Sequence, residues 1–159
     1  LPAGGSDGRL RHVRDEAFFE WRFRNPLCRY RFLFLETAEA ELDGYLVLQA
    51  PVWRYRNEIR LADWEARTPA GRETLLRTVV ERLAPPVAAV WSATLSGEVR
   101  ELLTRAGFAP VRRGTEELRP SILAKLVQED APETDWFVAG RSLLDLASWD
   151  LRMIDSDNF

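Results

Sequence analysis

The clearest hydrophobic periodicity in the chain falls in residues 69–84. There Leu75, Leu76, Val79, Val80 and Leu83 recur at the spacing of one apolar helix face, with Arg72, Arg77 and Arg82 elsewhere around it. The spacing predicts a helix over 69–84. Thr68 is placed to cap its first turn, Pro69 suits a first position whose N–H would be unpaired anyway, and Pro85-Pro86 stops it. Burying those aliphatic side chains is worth about 8–15 kcal/mol before chain entropy is subtracted. Residues 58–65 and 87–94 read as strands on either side. A helix of this length between two strands predicts a parallel pair with a right-handed crossover. Such a unit sets the N–H groups of the helix start beside the carboxyl end of the first strand, a place suited to an anion.

Upstream, the pattern alternates instead. Residues 29–36 put Tyr30, Phe32 and Phe34 on one face and Leu33 and Leu35 on the other, and 42–50 are almost wholly apolar. The short turn at 37–41 predicts an antiparallel hairpin, with both strands in the middle of a sheet covered on two faces. Before it, a short helix from Asp15 carries Phe18, Phe19, Trp21 and Phe23, and Pro26 ends it, a cluster better suited to a core than to a cofactor box. Residues 51–57 form an aromatic-rich loop with Trp53 and Tyr55. After 94, a helix over 97–106 has Ser96 as its cap, an inner face of Val99, Leu102, Leu103 and Ala106, and Gly107 as its closing residue. Residues 111–113 and 121–128 read as two further strands, and 128–135 as an acidic loop. In 136–159, Leu143, Leu144, Leu146 and Trp149 fit either a helix or a strand. The tail's Trp136, Phe137 and these side chains predict that it packs on the sheet.

Composition narrows the possibilities. At 159 residues and 46% hydrophobic, the chain suits one domain with one core. The net charge of -3 argues against nucleic acid, and no apolar run is long enough to span a membrane. One cysteine, Cys28, excludes an internal disulfide and suits a reducing cytoplasm. A single histidine, His12, near a loose N-terminal stretch excludes histidine triads and the usual zinc sites. Lys125 is the only lysine among 22 basic residues. That many arginines would suit a surface gripping phosphate or carboxylate, but their scatter along the sequence fits a bias toward arginine better. Asp155-Ser156-Asp157 has the look of a metal-binding D-x-D, although so few acceptors make a weak cage. The first residue is not methionine, and the chain reads as a piece of a longer protein.

The order helix, hairpin, strand, helix, strand, helix, two strands resembles the fold of the GNAT superfamily of N-acetyltransferases from its second helix onward. Leu42-Asp43-Gly44-Tyr45-Leu46-Val47 is similar to the family's third strand, and Leu102-Leu103-Thr104-Arg105-Ala106-Gly107-Phe108 to its helix ending in a Gly-Phe pair. Trp21-Arg22-Phe23 before Pro26, with Trp149-Asp150-Leu151 and Asp155-Ser156-Asp157 at the end, is similar to a bacterial subgroup of acetyltransferase-like proteins. The resemblance covers about 15–128 and the tail less fully; the family's first strand and first helix have no counterpart. Either they lie upstream or another segment, such as the tail, fills that sheet edge.

The resemblance implies an α/β (α+β) domain whose mixed, mostly antiparallel sheet holds one parallel pair, with helices on both faces. It implies transfer of an acyl group from acetyl-coenzyme A to a small-molecule amine. The coenzyme's pyrophosphate would lie at the loop of Arg67, Thr68, Ala70, Gly71 and Arg72. Ala70 stands where the family has its first glycine and Arg72 where it has a small residue, so Arg72 would have to turn outward and bind phosphate itself. Leu103 takes the place of the family's acidic tyrosine, and leucine cannot protonate a thiolate. Asp63, with Glu65 beside it, is the candidate base, although both also fit solvated carboxylates. Two functions follow: an acyl-CoA-dependent N-acyltransferase, or a non-catalytic structural or ligand-binding module of the same fold. A second copy of the chain or an upstream domain would be the protein partner.

Overall fold

The computed structural model describes residues 8–52, 58–92, 94–110 and 136–155. Helix α1, Glu16–Phe23, starts where Asp15 accepts a hydrogen bond from the Phe18 N–H at 2.9 Å. Strands β1, Cys28–Glu36, and β2, Leu42–Pro51, form the predicted antiparallel hairpin, turned by Thr37 and a left-handed Ala40. Strand β3, Glu58–Ala66, pairs antiparallel with β2 and parallel with β4, Val87–Val90. Among the described residues these make a four-stranded mixed sheet in the order β1-β2-β3-β4, and the parallel pair is the one predicted from the helix between its strands.

That helix is α-helical as α2, Pro69–Arg77, and continues as a π-helix over Thr78–Leu83. Ala84 closes it in the left-handed region, its N–H reaching the Val79 carbonyl at 3.1 Å. The π segment alters one detail of the predicted face: its wider turn carries Val80 off the buried stripe, while Leu75, Leu76 and Val79 stay within it. Helix α3, Gly97–Arg105, is capped by Ser96 as predicted and buries Val99, Leu102 and Leu103. The strand read at 87–94 stops at Val90. Thr94 leaves the ladder and exchanges hydrogen bonds with the main chain of Leu151, at 2.6 and 3.0 Å.

Two apolar layers cover the sheet. Leu46, Leu48, Leu61, Trp64, Leu75, Leu76, Val79, Val99, Leu102 and Leu103 pack together beneath α2 and α3. Val47, Ala62 and Ile154 pack on the opposite side with Phe18, Phe19 and Phe23 of α1 and with Tyr30 and Tyr45. A bulge in β3 makes this division possible. Val47 pairs with Asp63 but Leu48 pairs with Leu61, leaving Ala62 as the extra residue. The bulge reverses which side odd-numbered residues take. Leu61 and Trp64 therefore share one layer, whereas Asp63 joins Ala62 and Tyr45 on the other side.

The expectation that β1 lies buried on two faces is corrected. β1 is an edge strand among the described residues, and Phe34 is 62% exposed. Phe23 of α1 reaches Tyr30 and Phe32, with ring centroids 4.9 and 4.7 Å apart, but the short helix leaves Phe34 uncovered. The tail is a two-stranded hairpin, β5 (Phe137–Val138) and β6 (Arg141–Ser142), followed by 3₁₀ turns at Leu146–Ser148 and Met153–Asp155. Phe137, Leu144 and Leu146, expected to bury the tail, are exposed; among the described residues of the tail Ile154 is the buried apolar one. The loop read at 51–57 begins one residue later, since Pro51 is the last residue of β2; its residues 53–57, the strands read at 111–113 and 121–128 and the loop read at 128–135 lie outside the described residues.

At Gly44 the paired strand β3 and Leu75 of α2 leave no room for a side chain. A Cβ there would stand 2.8 Å from Ala66 Cβ, 2.9 Å from the Glu65 carbonyl oxygen and 3.1 Å from Leu75 Cδ1. Gly44→Ala is expected to cost about 1–3 kcal/mol through overpacking. Urea unfolding would show it as a lower midpoint at unchanged slope; an unchanged midpoint would mean that β3 and Leu75 yield without strain.

Candidate functional site

The loop entering α2 brings the expected ligand-binding residues together but commits their polar groups elsewhere. The Thr68 hydroxyl accepts from the Gly71 N–H at 3.0 Å, and the Arg72 N–H donates to the Thr68 carbonyl at 3.1 Å. Pro69 has no N–H to offer. Of the helix-start donors that would face a pyrophosphate, the Gly71 N–H is thus engaged within the turn itself. The carbonyl of Ala70 accepts from the Thr74 hydroxyl at 3.0 Å. Gly71 serves packing: a Cβ would meet Ala66 Cβ, Leu35 Cδ2 and Asp43 Oδ2 at 3.1, 3.2 and 3.3 Å. Arg67 pairs with Glu41 and Arg72 with Glu65, each at 3.4 Å. An anion arriving here meets carboxylates that already hold both arginines.

Asp63 and Glu65 are not solvated carboxylates. The bulge in β3 turns Asp63 into the interior, where it is 0% exposed. Its Oδ2 accepts from the Tyr45 hydroxyl at 2.8 Å and lies 3.3 Å from Arg14 Nε, while Oδ1 faces Arg152 at 3.5 Å. Burial pushes its carboxyl above the ordinary aspartate range, against the opposing pull of Arg14, Arg152 and the Tyr45 hydroxyl. The same burial, with the Asp63 charge, drives the Tyr45 phenol upward, so it remains a donor at neutral pH.

Around Asp63 lies a lattice that the scatter of arginines along the sequence conceals. Arg152, buried, approaches Glu65 at 2.7 Å and Asp150 at 3.2 Å, donates to the Trp64 carbonyl, and stacks 4.6 Å from the Trp64 ring centroid. The N-terminal stretch joins in. Arg11 meets Asp150 at 2.9 Å and Glu65 at 3.2 Å, and Arg14 meets Asp155 at 3.0 Å. Arg9 lies 3.6 Å from Asp150 and donates to the carbonyls of Thr94 and Trp149. Leu10 bridges Trp149 in parallel register, its N–H donating to Ser148 and its carbonyl accepting from Asp150. The N-terminal stretch, the tail and β3 are therefore one ion-paired assembly. Arginine suits it, because a planar fork bridges several carboxylates where an ammonium serves as a point charge. Burial raises the Asp150 carboxyl, but Arg152, Arg11 and Arg9 outweigh it and hold the group below the usual aspartate range. Arg152 itself loses by desolvation and gains more from Asp63, Asp150 and Glu65, so its guanidinium stays protonated.

Other candidates resolve simply. Asp155, the first member of the D-x-D, is taken up by Arg14, by the Arg152 N–H at 2.8 Å and by His12 at 3.2 Å, while Ser156 and Asp157 lie outside the described residues. Among the described residues no cluster of metal-ligating side chains occurs, and no helix is long and apolar enough to cross a membrane. Leu103, in place of the acidic tyrosine, is core. Cys28 is buried and free, its sulfur accepting from the Gln49 amide at 2.8 Å. The adjacent Tyr30 phenol is pushed up to about 12 by burial and by Cys28. Of the residues that organise this interior, Arg11, Arg14, Tyr45, Asp150 and Arg152 carried no assigned role in the sequence reading. Comparison with known protein families, with curated proteins and with solved structures finds no match for the chain.

Proposed function

We propose that this chain is a GNAT-like module whose sheet interior is structural and non-catalytic. The supporting observation is the state of Asp63. A general base must come within hydrogen-bond reach of the proton it removes. Asp63 is fully buried, accepts from Tyr45 and is flanked by Arg14 and Arg152. The engaged N–H at Gly71, and the pairing of Arg72 with Glu65, point the same way. The likeness to the acetyltransferase fold rests on the element order and on the parallel β3–β4 pair joined through α2.

One observation favours the second reading, an N-acyltransferase moving an acetyl group from acetyl-coenzyme A to an amine. The β3–β4 ladder ends at Leu61 and Val90, although β3 runs on to Ala66 beside the start of α2. In that reading Arg67 and Arg72 exchange Glu41 and Glu65 for phosphate, and orientation of the amine supplies most of the rate.

Calorimetric titration with acetyl-coenzyme A separates the two. The structural reading expects no saturable heat at millimolar ligand. A charge-assisted contact is worth about 1.5–3 kcal/mol. Binding by the native chain that weakens roughly ten- to a hundredfold in Arg72→Ala would therefore overturn it in favour of the acyltransferase. Equal binding by both proteins would place the ligand away from this loop.

A further inference from the structure

Every hydrogen bond that the Arg152 side chain makes among the described residues comes from its two terminal nitrogens. One donates to the Trp64 carbonyl and faces Asp63 Oδ1 at 3.5 Å; the other lies 2.7 Å from Glu65 Oε1 and 3.2 Å from Asp150 Oδ2. Nε makes none. The central carbon of the cation lies over the Trp64 indole, 4.6 Å from the ring centroid. Polar recognition is thus directed entirely at the end of the group that free guanidinium and any alkylguanidinium share. The covalent stem adds tethering, not specificity.

The acceptors are also held without Arg152. Arg14 and the Tyr45 hydroxyl fix Asp63 Oδ2, at 3.3 and 2.8 Å. Arg72 holds Glu65 Oε2 at 3.4 Å, and Arg11 holds Glu65 Oε1 and Asp150 Oδ2 at 3.2 and 2.9 Å. Trp64 is fixed in the core beneath α2 and α3. Truncating Arg152 therefore leaves a shaped socket lined by buried carboxylates that have lost a counter-charge, and such groups favour any cation able to replace it. A planar forked cation can meet acceptors spread around one plane while stacking on the indole; a compact ammonium cannot do both.

We propose that Asp63, Trp64, Glu65 and Asp150 form a guanidinium receptor site. In the native chain Arg152 fills it as a tethered ligand, and an external guanidinium or monoalkylguanidinium group occupies it when that side chain is withdrawn.

Thermal melts of Arg152→Ala test this, with guanidinium chloride as the probe. The variant should melt on the order of 10 °C below the native chain. Adding about 10 mM guanidinium chloride, if this exceeds Kd roughly tenfold, should restore about 4 °C to the variant and nothing to the native chain. Equal concentrations of sodium or tetramethylammonium chloride should restore nothing, and adding Glu65→Gln to the variant should abolish the rescue. A rise no larger than that given by sodium, or an equal rise in the native chain, would overturn the proposal. Should Arg152→Ala fail to fold, it is refolded from urea in each salt. Recovery of native circular dichroism with guanidinium alone supports the socket, and recovery with neither organic cation or with both overturns it.

Discussion

Asp150→Ala is expected to destabilise the chain by about 3–5 kcal/mol, the cost of stranding buried charges rather than the worth of one pair. Asp150 is 1% exposed and meets Arg152 at 3.2 Å, Arg11 at 2.9 Å and Arg9 at 3.6 Å. Its loss leaves these arginines, drawn from both ends of the described chain, with a surplus of buried positive charge. Equilibrium urea unfolding of the single variants Asp150→Ala and Arg11→Ala and of their double variant would measure the effect. Groups in one network couple, so the double variant should lose less than the sum of the singles, by about 0.5–3 kcal/mol. Strict additivity would show that Arg11 and Asp150 do not act together. Replacing Asp150 and Arg152 together by apolar residues should cost less than the sum of the two single replacements, because the pair they form with each other is then removed whole.

The same carboxylate gives stability a pH dependence of definite sign. The Asp150 carboxyl is held below its ordinary value in the fold by Arg152, Arg11 and Arg9, against the upward push of burial. In the unfolded chain an aspartate titrates near about 3.9. The contribution of Asp150 is therefore present above that value and is lost as pH falls through the lower folded value. Asp63 works in the opposite direction: burial raises its carboxyl, so its contribution is present at low pH and diminishes as pH rises through its folded value. The two partly cancel in the native chain. Asp150→Asn isolates one of them, and should lose less of its urea midpoint than the native chain between about pH 5 and pH 2.5. An equal loss would mean that Asp150 does not carry the acid response.

Helix starts were legible in the sequence because their signals are local. Asp15, Thr68 and Ser96 each cap a helix through a hydrogen bond to a residue three positions on. The hairpin and the parallel pair were legible for a related reason: a short turn and an intervening helix each restrict the geometry of the strands they join. The lattice was not, since its contacts join residues far apart, 54 positions for Arg11 with Glu65 and 141 for Arg14 with Asp155. Read singly, each arginine looks like any solvated cation. A signal for the site did exist in β3. Ile59 and Leu61 keep one parity, Trp64 and Ala66 the other, and only a bulge lets both pairs serve one core. Reading that change of parity would have turned Asp63 inward. The exposed edge at β1 was harder to foresee, because Tyr30, Phe32 and Phe34 make a stripe that looks buried, and how much of it α1 covers depends on where the helix docks.

Trp64→Ala should unfold the chain at markedly lower denaturant, with a loss of about 3–5 kcal/mol. Among the described residues Trp64 is the largest fully buried side chain, packed with Leu46, Leu61, Leu75 and Leu76 in the layer beneath α2 and α3. It is also the platform on which the Arg152 guanidinium rests. Two substitutions separate these roles. Trp64→Phe keeps much of the apolar volume and a smaller ring face, while Trp64→Leu keeps apolar contact and removes the π-system. A cation over a desolvated ring is worth about 2 kcal/mol or more, and less over phenylalanine than over tryptophan. If the stack contributes, the Leu variant should fall below the Phe variant, by less than that amount, when Arg152 is present, and the gap should shrink once Arg152 is replaced by methionine. That change in the gap is the coupling between ring and cation, read directly from urea midpoints. A gap of the same size in both backgrounds would assign the whole effect of Trp64 to core volume, leaving the carboxylates and the residue-64 carbonyl to hold the guanidinium in place.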